Sequence, residues 1–383
     1  MVALDILLTL LTVTTLIFQG LGLWVTRQFF GRFTSGQSRS PETDFCPKVS
    51  ILIPVRGVDE GAFANWTSFC QQDYPEYEVL FGVMDPQDPA VPVLQQVVDQ
   101  FPDRAKLLTD LPLRGIAEKS SNLSYLLEAS HHEVVIFADS DIRVTPEYLQ
   151  RVTQPLKADR IGLVTCAFVD HSPQYLGAAL AALSRSLDFI PSVLIARALD
   201  GGLKFAIGPT IVLRRSVLMA FGGLEPVLNR IGSDYHLGRL TVEAGYEVEL
   251  STYLLNNDCG QETPEQVFQR ELRWCRTIRW NRGSEYYGLL FTHGTVYSLL
   301  LLLVTGFQPW AIVLWGVSWG LRLLQGFLLL STLNLSHLKK WLWILPLRDA
   351  MTFWIWVRGA YGREIFWRGR WLAVSGQGIL QEK

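Results

Sequence analysis

Neither a disulfide framework nor a cage of cysteines and histidines is written into this chain. Its five cysteines, Cys46, Cys70, Cys166, Cys259 and Cys275, are odd in number and scattered, with no Cys-x-x-Cys pair and no two histidines at metal-ligand spacing. That excludes a disulfide-stapled domain and a structural zinc site. Charge is sparse too: charged residues make up 18% of the chain and the formal net charge is −2. No basic footprint for nucleic acid is present, and no internal period of about 20 to 50 residues marks a repeat array.

What the chain has instead is apolar sequence. Of its 383 residues, 49% are hydrophobic, a high share for a purely soluble enzyme of one large or two modest domains. Part of it is expected to meet lipid. From about Ala3 to Val25 runs an apolar stretch of the roughly 20 residues that a bilayer core requires. It has no basic leader and no small-residue cleavage site, and Arg27 and Arg32 follow at once. Residues 1–26 are therefore expected to be an uncleaved anchor whose C-terminal end lies in the cytosol. Ser, Gly, Pro and charge then mark a linker over 27–48.

Residues 287–383 are expected to hold further transmembrane or interfacial helices and a short cytosolic tail. About Leu289 to Thr305 and about Trp310 to Leu330 can span as a hairpin around Gly306-Phe-Gln-Pro309, provided that Arg322 faces protein. Pro346, Arg348 and Asp349 interrupt the stretch from Trp341 to Val357, which reads as a broken, interfacial or re-entrant segment with a Trp-rich face at headgroup depth. Arg358, Arg363, Arg368 and Arg370 read as a membrane-surface contact, and the tail from Trp367 as a short hairpin.

Between these ends, residues 49–286 alternate. Val49 to Pro54, Tyr77 to Met84 and Val134 to Ala138 are short apolar runs that suit buried strands, and the amphipathic stretches between them suit crossover helices. This is an α/β pattern with a mostly parallel sheet, in which ligands bind beyond the carboxyl ends of the strands. Asp85 and Asp139 fall just there. Tyr175 to Leu199 is Ala- and Leu-rich, and suits either a helix lying on the bilayer beside a lipid acceptor or one packed on the protein's own core.

Asp85 closes the second run and Asp88 follows in Met-Asp-Pro-Gln-Asp-Pro, where a carboxylate can accept hydrogen bonds from a base or ribose, or simply shape a solvated turn. Asp139-Ser-Asp141 follows the third run directly. Two carboxylates one residue apart can share a hard cation with phosphate oxygens, Mg²⁺ or Mn²⁺ being the fitting ions, although the same triplet suits a helix N-cap. Lys119 and Asn122 sit where a helix should begin, so that Lys119 can lie along a diphosphate or be an ordinary solvated lysine. Asp234, in Ile-Gly-Ser-Asp-Tyr-His-Leu-Gly, leads into an amphipathic segment. A carboxylate opposite the leaving group is what direct displacement at an anomeric carbon needs; the alternative is another N-cap. His236, close by, is expected to be structural.

Arg270, Arg273 and Trp274 share one helix face, where the arginines can fork onto a departing diphosphate while the indole packs beneath a sugar or base. Arg276-Thr-Ile-Arg279-Trp280 repeats the pattern, and an interfacial anchoring role is expected for it. In this order, the signatures form a toolkit for moving a sugar from a nucleotide diphosphate carrier to a hydroxyl.

With these residues in hand, the chain resembles the ceramide glucosyltransferase family, of GT-A-type nucleotide-sugar-binding fold, over about Val49 to Trp280. Gly57-Val-Asp, Tyr74-Pro-Glu-Tyr-Glu-Val-Leu, Gln87-Asp-Pro-Ala, Asp139-Ser, Gly222-Gly-Leu, Asp234-Tyr and Arg270-Glu-Leu-Arg273-Trp274 carry the likeness. The resemblance implies a UDP-sugar donor, glucose as the sugar, a membrane lipid such as ceramide as acceptor, a divalent metal and inversion to a β-linkage. It places an integral membrane protein with its catalytic domain on the cytosolic face, and sets no oligomeric state. Asp234, Arg270, Arg273 and Trp274 would be catalytic, with Asp85, Asp88, Lys119, Asn122 and Asp139 on the nucleotide sugar and Asp141 with Asp139 on the metal. The acidic residue that commonly precedes the catalytic aspartate is Ser233 here. Asp234-Tyr-His-Leu-Gly238 and the tail look closer to bacterial relatives, including hopanoid-associated glycosyltransferases. A hopanoid or diacylglycerol acceptor with another UDP-hexose or a UDP-N-acetylhexosamine is thus the alternative. A processive polysaccharide synthase, for which about three spans are few, and a non-catalytic membrane binding protein are the remaining classes.

Overall fold

The computed structural model describes residues 2–34, 45–170, 173–257, 260–367 and 370–382. Residues 35–44 of the linker expected over 27–48, together with Cys259 and Arg368, lie outside the described residues. The first helix, Val2–Thr34, continues beyond residue 26, where the anchor was expected to end. Two compact units emerge, both discontinuous in sequence. One is formed by Ser38–His171, Leu199–Gly260 and Phe366–Lys383, the other by Met1–Gln37, Ser172–Ala198 and Gln261–Ile365. Residues 172–198 and 261–286, expected within one domain spanning 49–286, thus belong to the helical unit.

The first unit is built on an eight-stranded sheet. Its strands are β1 (Val49–Val55), β2 (Tyr77–Val83), β3 (Ala105–Leu108), β4 (Val134–Ala138), β5 (Ile142–Arg143), β6 (Ile161–Asp170), β7 (Thr210–Arg214) and β8 (Glu247–Asn257), in the order β3-β2-β1-β4-β7-β6-β8-β5. β1 pairs in parallel with β2 and β4, β2 with β3, and β6 with β8, whereas β7 runs antiparallel to both β4 and β6. Every residue of β1, β2 and β4 is buried. Strands covered on both faces favour near-continuous apolar runs over alternation, which is why these runs were legible as strands. Cys70 and Cys166 are packed inside this unit, and burial pushes both thiols up to about 12, far from reactive thiolates.

Asn65 and Asn122, which sit in glycosylation tripeptides, are also buried. Asn65 Oδ1 accepts from Arg143 Nε at 2.9 Å, so its side chain serves the core.

The second unit is helical. Among the described residues, three helices are long and apolar enough to cross a membrane: Val2–Gly31, Leu176–Leu199 and Pro309–Thr332. The first expected C-terminal span is instead part of a bent pair, Pro264–Thr292 and Gly294–Val304, which meet at 58°. In the first helix the hydroxyls of Thr9, Thr12, Thr15 and Thr26 each donate to the carbonyl four residues back, which satisfies them without water. Gly294 lets a neighbour approach, since a Cβ there would lie 2.7 Å from Cβ of Thr15. Ile17, Val313 and Leu324 meanwhile remain more than half exposed, as expected of surfaces that face lipid. The segment Leu176–Leu199 lies largely inside its own unit, with Gly177 to Leu183 all buried, so of the two alternatives open for it, packing on the protein's own core is the one observed.

Candidate active site

The sheet unit gathers its charged residues at the carboxyl end of β4. Because β7 runs antiparallel to β4 and pairs Thr210 with Ala138, the segment leading into β7 is brought beside Asp139, whose N–H donates to Pro209 O at 3.1 Å. Lys119, in the first turn of the helix Glu118–Ala129, donates through Nζ to Asp139 Oδ1 at 2.5 Å, and Gly208 O lies 3.5 Å from the same nitrogen. On Gly208 also sits Asp234: a Cβ built at this glycine would be 3.1 Å from Asp234 Oδ2. Three residues singled out in the sequence therefore meet around one glycine.

The helix carrying Asp234 spans Ser233–Glu243 and is capped by Gly232 in the left-handed region, at φ 70 and ψ 53. Asp234 is therefore one position inside the helix and is not its N-cap. Burial pushes its carboxyl above the usual aspartate range; the charge of Lys119 and the N–H groups of Tyr235 and Asp234 oppose that rise, and Asp139 adds to it. A carboxylate held this way is a stronger base than one in water. The helix is fixed in depth by Gly238, where a Cβ would fall 2.3 Å from the backbone nitrogen of Ala206. Phe205 stacks on Tyr235 with ring centroids 6.5 Å apart, and His236 is buried edge-on to the same tyrosine. The sequence reading missed Gly208, Gly238 and the Phe205-Ala206 clamp. An isolated glycine within a helical pattern was the available signal, since such a residue usually marks a close packing contact.

Other candidates take less direct positions. Asp85 is exposed and its Oδ1 accepts from Gln87 N at 2.9 Å. Asp88 accepts from Gly57 N at 2.9 and 3.0 Å and from Ala90 N at 2.8 Å, tying the loop after β1 to the start of a helix. Asn122 is directed onto β2: its Nδ2 donates to Gly82 O at 2.8 Å, and its Oδ1 fills the space a Cβ at Gly82 would need. Asn122 packs its helix on the sheet. Asp141 is half-buried in the turn before β5, a turn pinned by Trp66 Nε1 donating to Ser140 O at 3.2 Å. Among the described residues, no group of three or more His, Cys, Asp or Glu forms a ready-made metal cage. Arg370, expected at a membrane surface, pairs instead with Glu118, which also holds Arg56 at 2.6 Å.

In the helical unit, the helix Pro264–Arg282 opens with a capping box between Thr263 and Gln266. It carries Arg270, Arg273 and Trp274 on one face, as helical spacing requires. Arg270 pairs with Glu262, and its guanidinium carbon stands 5.3 Å from the Trp274 ring centre, with that of Arg185 at 5.7 Å. The repeat of the motif, for which interfacial anchoring was expected, bonds to backbone. Arg276 donates to Glu364 O at 2.9 Å and Arg279 to the carbonyls of Ala360 and Gly362, so both tie their helix to the segment that follows the helix Leu345–Gly359.

A mostly parallel sheet with aspartates at its carboxyl edge, followed by an Arg-x-x-Arg-Trp helix among apolar helices, defines a glycosyltransferase of the GT-A type. A mannosyltransferase from Pyrobaculum calidifontis, solved in complex with GDP-Man and Mn²⁺, shares this fold with a TM-score of 0.54 over 94% of this chain and 99% of that one, at 16% identity. The chain belongs to Glycosyl transferase family 21, whose model matches residues 7–380. Ceramide glucosyltransferase 1 of Caenorhabditis elegans is 24% identical over 232 residues, which is 60% of this chain and 49% of that relative. Ceramide glucosyltransferase 3 of the same organism is 22% identical over 237 residues, 61% of this chain and 51% of the relative. The chain thus spans about half the length of the curated relatives it matches.

Proposed function

We propose that this protein transfers one sugar, glucose, from a UDP-sugar to the hydroxyl of a membrane lipid of the ceramide type, by a single inverting displacement. The observation that carries the proposal is the meeting of Lys119, Asp139 and Asp234 around Gly208 at the carboxyl end of the sheet. On this reading Asp234 removes the acceptor's proton, and its raised pKa suits that task while Lys119 keeps the charged form accessible. Lys119 and Asp139 orient the nucleotide sugar, with Asp85 and Asp88 at the neighbouring strand end. Arg270 and Arg273 stabilise the departing diphosphate, and Trp274 supports the sugar.

The family relationship and the Mn²⁺ complex of the mannosyltransferase favour a divalent cation, Mg²⁺ or Mn²⁺. Asp139, whose Oδ1 accepts from Lys119, and Asp141 would supply its protein carboxylates. Hard cations that arrive on a diphosphate need only one or two protein carboxylates, the rest of the shell being phosphate oxygens and water, so the lack of a three-residue cage among the described residues matches an ion that binds with its nucleotide. When bound, the cation neutralises charge developing on the diphosphate. The apolar helices anchor the protein in a bilayer, with the sheet unit on the cytosolic side.

Incubating the purified protein with a panel of UDP-sugars and lipid acceptors, followed by mass spectrometry, tests this reading. One hexose added to ceramide is expected. Preferential modification of a hopanoid or diacylglycerol would redirect the acceptor assignment, and turnover with no combination would overturn the proposal.

A further inference from the structure

One flank of the helix Pro264–Arg282, about 100° of helical rotation from Arg270, is held by a buried ion pair that the proposed chemistry does not use. Glu271 and Arg348 form a two-pronged contact, with Arg348 Nη1 to Glu271 Oε1 at 3.1 Å and Nη2 to Oε2 at 2.5 Å. The arginine side chain is 1% exposed and the glutamate 10%. The next residue, Asp349, turns the other way, accepting from Arg322 at 2.8 Å and from Thr295 Oγ1 at 2.7 Å. Arg322 in turn reaches Asp188 at 2.8 Å. One turn beyond Glu271, on the same face, Cys275 sits so close to Gly359 that a Cβ there would be 2.7 Å from its sulfur. Thus Arg348 and Asp349, adjacent in sequence, hold this flank of the helix on one side and the apolar helices on the other.

A buried pair of this kind is a poor source of stability. The desolvation of both ions roughly cancels their attraction, and apolar replacements of similar volume are often neutral or stabilising. Geometry is what a bidentate pair secures best, because the planar guanidinium fork accepts a carboxylate in few orientations. We infer that Glu271 and Arg348 are positioning residues, which set the rotation of the helix so that Arg270, Arg273 and Trp274 point at the leaving group. This inference rests on the role proposed for those three residues.

The test compares full-length wild type with Glu271→Gln, Arg348→Gln and the apolar double variant Glu271→Leu/Arg348→Met, all in lipid nanodiscs. Three readouts are taken: melting temperature, kcat with donor KM, and labelling of Cys275 by a maleimide, mapped by peptide mass spectrometry. The single variants, which strand a buried charge, are expected to melt lower. The double variant is expected to melt like wild type and yet lose about 10²-fold in kcat, the scale of a misplacement of about 1 Å, with a smaller change in donor KM and with Cys275 newly labelled. A double variant that retains wild-type kcat and leaves Cys275 protected would overturn the inference and leave the pair as a packing element. Should wild type itself transfer no sugar, the proposed function fails first; Cys275 labelling in the folded double variant then still decides whether the pair sets the helix.

Discussion

Replacing Asp234 by Asn should change activity and stability in opposite directions. Asn has nearly the same shape and can keep an acceptor oxygen toward the N–H groups of the first helical turn. The space beside Gly208, 3.1 Å from Oδ2 to a notional Cβ, needs no adjustment. What is removed is the charge and the ability to take a proton. Loss of a general base typically lowers turnover by about 10²- to 10⁴-fold, or about 3 to 5 kcal/mol in the barrier, while donor binding should persist. Stability behaves otherwise. Burial holds the folded carboxyl above its ordinary value of 3.8, so the stability it contributes is fully present below that value and is lost as pH rises through the folded pKa. At neutral pH the wild type therefore carries a cost that the Asn variant lacks. The variant should melt higher than wild type at neutral pH, and the gap should close in acid. Wild-type turnover should also fall in acid at a pH above the usual aspartate range. Calorimetry for donor binding, thermal melts from acid to neutral pH and a transfer assay together check this. Near-normal transfer by the variant would remove Asp234 from the mechanism, and a lower neutral-pH melting temperature would refute the electrostatic account.

EDTA should abolish turnover, with recovery on Mg²⁺ or Mn²⁺, and Asp141→Ala should lose activity with little change in melting temperature; full activity in chelator would sink the metal assignment. Neutralising Arg270 or Arg273 should cost about 10²-fold or more in kcat with a smaller effect on donor binding, whereas neutralising Arg276 or Arg279 should chiefly lower the melting temperature, because those side chains hold the carbonyls of Glu364 and Ala360. The reverse pattern would mean that the repeat, not the first copy, serves the diphosphate. Gly238→Ala should destabilise by about 1 to 3 kcal/mol or more, since its methyl would meet backbone atoms of Phe205 and Ala206 at 2.3 to 2.5 Å; denaturant unfolding measures this, and an unchanged midpoint would show that the clamp is soft.

Much of this was readable from the chain, for identifiable reasons. β1, β2 and β4 are continuous apolar runs because both faces of their sheet are covered, and Asp139 could be placed because it follows such a run directly. Arg322 announced itself as a charge within an apolar span, but its partners Asp188 and Asp349 lie 134 and 27 residues away, and nothing local joins them. Leu176–Leu199 was ambiguous because a helix buried on all sides has no polar face to orient it. The bonds of Arg276 and Arg279 to the carbonyls of Ala360, Gly362 and Glu364 lie about 80 residues further along the chain, and nothing local announces them. The hydrogen bonds that tie Asn122 to Gly82, and Asp88 to Gly57 and Ala90, depend on which backbone the fold brings near, and no local pattern announces the bonds to Gly82 and Gly57. Glycine roles depend on which backbone or side chain approaches, so Gly208 carried no local signal before the fold brought Asp234 against it.

The most direct measurement is the length and anomeric configuration of the product made from an α-linked UDP-sugar and a lipid acceptor in proteoliposomes, read by mass spectrometry and by the anomeric proton coupling in NMR. One β-linked sugar per lipid is predicted, formed by wild type and not by Asp234→Asn. An α-linked product, or a ladder of lipids bearing several sugars, would contradict a single displacement driven by one carboxylate.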